Sequence, residues 1–173
     1  LLNTISPDDV SGLQDGAFGY AATALGDVNG DGVADVAISA PDDEATGGMV
    51  VFFRLRADGT PMDHVVLFDG APRFSLDPQP VRLGANVGAV GDVNGDGVGD
   101  VVVGDDSDQA CAGDVKCGAV YVVLLQRNLS VASFVKIGAA QGGFDFAFSA
   151  ESNTRFGNDV ASLQPLRTPT CEI

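Results

Sequence analysis

The chain contains a long internal repeat, and that repeat limits what it can fold into more than any other feature. Gly26-Asp-Val-Asn-Gly-Asp-Gly-Val-Ala-Asp35 recurs, nearly letter for letter, as Gly91-Asp-Val-Asn-Gly-Asp-Gly-Val-Gly-Asp100. The likeness extends upstream, where Phe18-Gly19 through Leu25 matches Leu83-Gly84 through Val90, and Phe156-Gly157 through Leu163 opens a third copy. Downstream, Val36 to Ser39 matches Val101 to Gly104, and Gly48 to Phe53 matches Gly118 to Val123. The second copy has a longer insert between these last two matches, and Cys111 and Cys117 both fall in it. Val65 to Phe68 is answered by Phe134 to Ile137, and Ile5, within Leu2 to Ser6, reads as the end of an earlier copy. A unit repeated at this period is one supersecondary motif that buries its apolar face only by stacking on its neighbours.

Each unit reads as four short strands, in the first copy about 18–26, 34–40, 48–55 and 63–69. Short runs rich in Val, Ile, Phe and Tyr, separated by Gly, Asp and Pro, have strand periodicity. Asp58-Gly59 marks a hairpin turn between the third and fourth. The one helix-like stretch, Tyr20 to Leu25, becomes Ala85-Asn-Val-Gly-Ala-Val90 in the second copy, and Gly88 with its β-branched neighbours argues against a helix. The expected fold class is all-β: four-stranded antiparallel β-propeller blades, a partial propeller with two complete blades. The small Ala and Gly residues of each first strand suit the crowded innermost position. The expected division is an outer strand of a preceding blade with linker at 1–17, blades at 18–82 and 83–155, and the first strand of an incomplete blade at 156–173. A propeller generally needs at least four blades, so a fragment of a longer protein, or a chain whose remaining blades come from elsewhere, is expected, and the initial Leu reads as a mature or excised piece.

The repeated loops carry the chemistry. Asp27, Asn29, Asp31 and Asp35 stand at loop positions 1, 3, 5 and 9, and Asp92, Asn94, Asp96 and Asp100 repeat the spacing. Alternate residues of a tight loop turn toward one centre, and Gly32 and Gly97 at position 6 permit the positive φ that wraps it. The carbonyls of Val33 and Val98 at position 7 then face inward. Three carboxylates, an amide oxygen and a backbone oxygen are all hard donors, which predicts one Ca2+ in each loop, two sites in all. Neither loop holds sulfur or imidazole, which disfavours zinc and copper. The plainer alternative is a turn whose Asp side chains only cap backbone N–H groups. Position 12 is Ile38 or Val103 in mid-strand, where an EF-hand needs Glu. Dockerin loops lie closer together and open helices, and thrombospondin-type calcium repeats are shorter and rich in Cys.

With these residues in place, the sequence resembles the FG-GAP repeat family, the blades of integrin α-subunit propellers and of many surface proteins. The family pattern is a Phe-Gly pair, a DxDxDGxxD loop, a Gly-Ala-Pro segment and a Gly-x-Val-Tyr-Val strand. Phe18-Gly19 and Phe156-Gly157 match the first element and Leu83-Gly84 departs from it. Ser39-Ala40-Pro41 and Gly104-Asp105-Asp106 both depart from the third, while Gly118-Ala-Val-Tyr-Val122 matches the strand. The resemblance implies a calcium-stabilised extracellular propeller used in adhesion, recognition or surface architecture, whose partners are other protein chains, further blades or glycans.

Other function classes find little support. The formal net charge is −15, with 21 Asp among the 24 acids, so a nucleic-acid backbone would be repelled. The longest apolar run, Ala119 to Leu125, is far too short for a membrane span. His64, the one histidine, reads as a strand-edge residue rather than a base, and no catalytic cluster is expected. The pairs Asp42/Asp43 and Asp105/Asp106 have the composition of a glycosidase acid and base but are expected to be solvated loop acids. Cys111 and Cys117 are too far apart for a CxxC knuckle, and a disulfide closing one loop is expected over two free thiols, which places the chain in an oxidising compartment. Cys171 has no evident partner. Asn128-Leu-Ser130 is an N-glycosylation sequon at an expected hairpin turn. The chain is therefore expected to be a secreted, non-enzymatic binding or structural module. The alternatives are an accessory propeller domain of a secreted polysaccharide- or lipid-degrading enzyme and a lectin-like glycan binder. The absence of Trp weakens the lectin alternative.

Overall fold

The computed structural model describes residues 5, 10, 17–42, 46–77, 82–109, 116–138 and 154–161. Eight strands lie among them: β1 (Ala22–Gly26), β2 (Asp35–Ala40), β3 (Met49–Leu55), β4 (Pro61–Phe68), β5 (Asn86–Gly91), β6 (Asp100–Asp105), β7 (Ala119–Leu125) and β8 (Val131–Gly138). They form two four-stranded antiparallel sheets, ordered β1-β2-β3-β4 and β5-β6-β7-β8. The sheets share one register: Val36 faces Phe53 in the first as Val101 faces Val123 in the second. The stretch at 18–21 is a turn rather than the start of the first strand, because the Gly19 and Tyr20 amides both bond the Ser39 carbonyl. The Gly84 and Ala85 amides bond the Gly104 carbonyl in the same way.

Strand alternation sorts the apolar residues onto two faces. From the first sheet Ala37, Val50, Phe52 and Leu67 face the second, where Val101, Val103, Tyr121, Val123 and Leu125 meet them in one core. Phe74, in the segment joining the sheets, is fully buried and packs against Tyr121 and Phe134, with ring centroids 5.9 and 4.7 Å away. The opposite face of the first sheet, Ala40, Met49, Val51 and Phe53, is closed by Val10, Ile5 and Phe18. The innermost strands β1 and β5 also meet, with the Ala89 amide donating to Thr23 Oγ1 at 3.3 Å.

One clasp recurs where each unit passes to the next. The Leu83 amide donates to the Gly47 carbonyl and the Phe156 amide to the Cys117 carbonyl. This contact admits only Gly just ahead of β3 and of β7, since a Cβ on Gly48 would stand 2.7 Å from Leu83 N and one on Gly118 would stand 2.5 Å from Phe156 N. The third copy thus docks on the second sheet as the second docks on the first. The strand expected from Phe156 is, within 154–161, a single parallel bridge from Phe156 to Gly118. A first strand pairs with the second strand of its own unit, as β1 does with β2, and no such partner lies among the described residues.

Candidate metal centre

The β1–β2 and β5–β6 connections are the two acidic loops, and they close identically. Asp27 Oδ1 accepts from the amides of Gly30 (2.7 Å) and Asp31 (3.0 Å), and Oδ2 accepts from Gly32 (2.8 Å). Asn29 Oδ1 accepts from the Asp31 amide, Asn29 Nδ2 donates to Asp31 Oδ2, and Asp31 Oδ1 accepts from the Val33 amide. In the second loop Asp92 takes the amides of Gly95, Asp96 and Gly97, while Asn94 and Asp96 repeat the other pairs. Gly32 and Gly97 adopt φ of +88° and +82°, as position 6 requires. Position 4 requires the same left-handed backbone, at Gly30 (+85°) and Gly95 (+79°).

The ninth-position acids differ in kind. Asp35 and Asp100 are the first residues of β2 and β6 and are buried, whereas Asp27, Asp31, Asp92 and Asp96 are exposed. Asp35 accepts from the Val28 and Leu55 amides at 3.2 and 3.1 Å, and Asp100 from those of Val93 and Leu125 at 3.0 Å each. One carboxylate therefore ties the loop to the far end of the third strand. Burial pushes both carboxyls above their usual value, against the pull of those amides. The Asp27 and Asp92 carboxyls move the other way, held low first by the Gly32 and Gly97 N–H groups. The spacing did not reveal Arg127, in the β7–β8 turn. Its guanidinium nitrogens lie 3.4 and 3.5 Å from where Cβ atoms on Gly30 and Gly97 would stand, so one cation sits between the two loops.

The donor set suits a hard cation. Every side-chain donor is oxygen, and Asp27 Oδ2 and Asp92 Oδ2 each take a single amide and keep a second lone pair, whereas the Oδ1 atoms of both take two amides. Among the described residues, no three His, Cys, Asp or Glu side chains converge into a metal cage.

Residues 18–53, from the first turn into β3, match the family model of the FG-GAP repeat. Residues 18–53 carry the FG-GAP repeat. The chain is similar to mouse integrin alpha-X, 39% identical over 94 residues, which is 51% of this chain and 7% of that protein. It is also similar to integrin alpha-3 of Cricetulus griseus and of mouse, each 31% identical over 100 residues, 55% of this chain and 9% of theirs. The match thus covers less than a tenth of the length of these curated relatives.

The geometry shows what the leading Phe-Gly pair of the FG-GAP repeat does. Gly19 turns its amide onto Ser39, and Phe18 stands edge-on to Phe53 with ring centroids 6.2 Å apart. His64 lies on β4 against Phe53 at 5.7 Å, as a strand residue with an aromatic neighbour. The acids of the Gly-Ala-Pro position overturn an expectation. Asp105 and Asp106 are not solvated: they are 0% and 1% exposed, and Asp105 is the last residue of β6. Burial is possible because Arg82 Nη1 bonds Asp106 at 3.0 and 3.1 Å, a partner that spacing alone does not reveal. Asp42 is exposed as expected, while Asp43, Cys111 and Cys171 lie outside the described residues. The Asn128 sequon does occupy the β7–β8 turn, with Asn128 exposed, Leu129 buried and Asn128 Oδ1 accepting from the Ser130 amide at 3.1 Å. No helix among the described residues is long and apolar enough to cross a membrane.

Proposed function

We propose that this chain is a segment of an extracellular β-propeller acting as a non-enzymatic adhesion or recognition module, with one calcium ion bound in each acidic loop. The observation that carries this reading is the identity of the two loops, hydrogen bond for hydrogen bond, in two sheets of one register. Asp27, Asn29, Asp31 and Asp35 with the Val33 carbonyl would hold one ion, and Asp92, Asn94, Asp96 and Asp100 with the Val98 carbonyl the other. Calcium supplies positive charge that offsets the mutual repulsion of three carboxylates in nine residues. The amides gathered on Asp27 and Asp92 keep those two acids ionised and the loops pre-wrapped, so little ordering remains to be done on binding.

Partners are read from the contrast between the two units. Val28 is enclosed in the core between the sheets, while its counterpart Val93 is 53% exposed, and Val135 on β8 is 55% exposed. Side chains that a following blade would cover stand open on the second sheet, which favours further blades or another chain there. Similarity to integrin alpha chains supports an adhesive role at the cell surface. The bonded sulfur of Cys117 supports a bridge to Cys111 that closes the β6–β7 connection, and the exposed turn at Asn128 suits a glycan.

Sites of this extracellular kind bind with Kd of about 10⁻⁴ to 10⁻³ M. Calcium at about that range then stabilises the fold by about 0.4 to 1.4 kcal/mol per site. Calorimetric titration should find two ions per chain, and chelator should lower Tm. Asp31→Ala and Asp96→Ala should each remove one ion and leave the other. Absence of calcium uptake by folded protein would refute the metal assignment.

A further inference from the structure

The second sheet carries a buried acidic cluster that has no counterpart among the described residues of the first. Asp105, Asp106 and Asp108 are 0%, 1% and 1% exposed, and the first two stand where the first unit has Ala40 and Pro41. Two of the three are matched by cations. Asp106 takes Arg82, which also reaches Asp42 at 3.0 Å, and Arg155 stands 3.8 Å from it. Asp108 Oδ2 accepts from Lys136 Nζ at 2.5 Å and from the Tyr121 hydroxyl at 3.2 Å. Burial, with Asp108 next, raises the Tyr121 phenol, which keeps it a donor. Asp105 has neither kind of support. Its Oδ1 accepts from the Ser107 amide at 3.0 Å, and its Oδ2 is buried with no hydrogen-bond partner among the described residues. By strand alternation Asp105 shares a face with Val101 and Val103, so this bare oxygen lies on the side that packs against the first sheet.

We propose that Asp105 binds a proton in the folded protein and that this proton secures the contact between the two sheets, which therefore strengthens as pH falls. The charges around it are Asp106 and Asp108 on its own connection, Arg82 and Asp42 from the first unit and its linker, Lys136 on β8, and Arg155 beyond. Among the described residues, Tyr121 on β7 and Asp69, which follows β4 and acts on Tyr121, complete the titratable set. Among the described residues the acids Asp42, Asp105, Asp106 and Asp108 share three cations, Arg82, Lys136 and Arg155, and Asp105 makes none of the ion pairs; a proton removes its charge at the lowest steric cost. A proton on Oδ2 also takes the charge off an acceptor that no described donor reaches. Burial moves the Asp105 carboxyl up to about 6, with the charges of Asp108 and Asp106 adding and the Ser107 and Arg82 amides opposing. A folded value above the unfolded one gives stability that is complete below the unfolded value and is lost as pH rises through the folded one.

The test is chemical unfolding of the full chain and of Asp105→Asn between pH 4 and 7.5, in chelator so that the acidic loops contribute equally to both. The ratio of wild-type to variant folding constants should rise about fifty-fold from pH 7 to pH 4, and the variant should be the more stable at pH 7.5. The Asp105 carboxyl carbon, followed by NMR in the wild-type protein, should titrate near 6, a readout that does not depend on the variant folding. A ratio constant within twofold, or a carboxyl that titrates below pH 4.5, would overturn the proposal. So would sodium or calcium at pH 7.5 closing the gap between wild type and variant, because the occupant would then be a metal cation.

Discussion

Asp100→Ala is expected to destabilise the protein by about 2–4 kcal/mol even with calcium removed. The carboxylate is fully buried and holds two amides, Val93 at the turn of its own loop and Leu125 at the end of β7. Deleting it leaves both N–H groups without an acceptor, at about 1–3 kcal/mol for each that remains buried. Leu125 is itself fully buried, so no water can replace the lost bond there. Relief of a desolvated charge returns part of the loss, which is why the expected figure is below the simple sum. Asp100→Asn keeps one acceptor and should fall between. Asp35→Ala should cost about as much as Asp100→Ala, because each site loses one buried amide bond, that of Val28 or Leu125, and one partly buried one, that of Leu55 or Val93. Urea unfolding in chelator measures all three, and a loss below about 0.5 kcal/mol for Asp100→Ala would show that this residue acts only as an ion ligand. In calcium the same variant should additionally bind one ion fewer.

Gly48→Ala should cost about 3 kcal/mol or more, and the loss should be concentrated in the contact between the sheets. Two penalties combine. Gly48 has φ of +99°, where an L side chain costs about 1–2 kcal/mol. Its Cβ would also stand 2.7 Å from Leu83 N and 2.9 Å from Pro41 O, backbone atoms with no rotamer to move. Leu83 belongs to the linker that clasps the second sheet to the first, so relief of the clash must open that clasp. Gly59→Ala is the control. Gly59 has a φ of +81° in the β3–β4 turn, and a Cβ there would meet nothing within 4 Å, so only the conformational penalty of about 1 kcal/mol applies. Denaturant unfolding and amide exchange at β5–β8 should separate the two variants. Equal losses at Gly48 and Gly59 would mean that the crowding at the clasp is relaxed at no cost.

Local signals were enough for the all-β class, the four strands per unit and their order. Those signals are runs of β-branched and aromatic residues, the Asp58-Gly59 turn, and a repeat that forces both units into one topology. Both acidic loops and the glycine at position 6 were legible in the same way, since a tight loop and its φ requirement are properties of a few neighbouring residues. Which acids lie in water and which do not was settled only by the packing of distant segments. Asp31 and Asp35 are equally polar on paper, yet Asp35 is enclosed because it opens β2 beneath the end of β3. Asp105 and Asp106 read as solvated loop acids, and their burial depends on Arg82 and on a packing face shared with Tyr121 and Lys136, residues far off in the chain. Arg127 between the two loops was hidden for the same reason. Backbone preference is set within a few residues, whereas desolvation and charge pairing depend on which distant segments fold against each other.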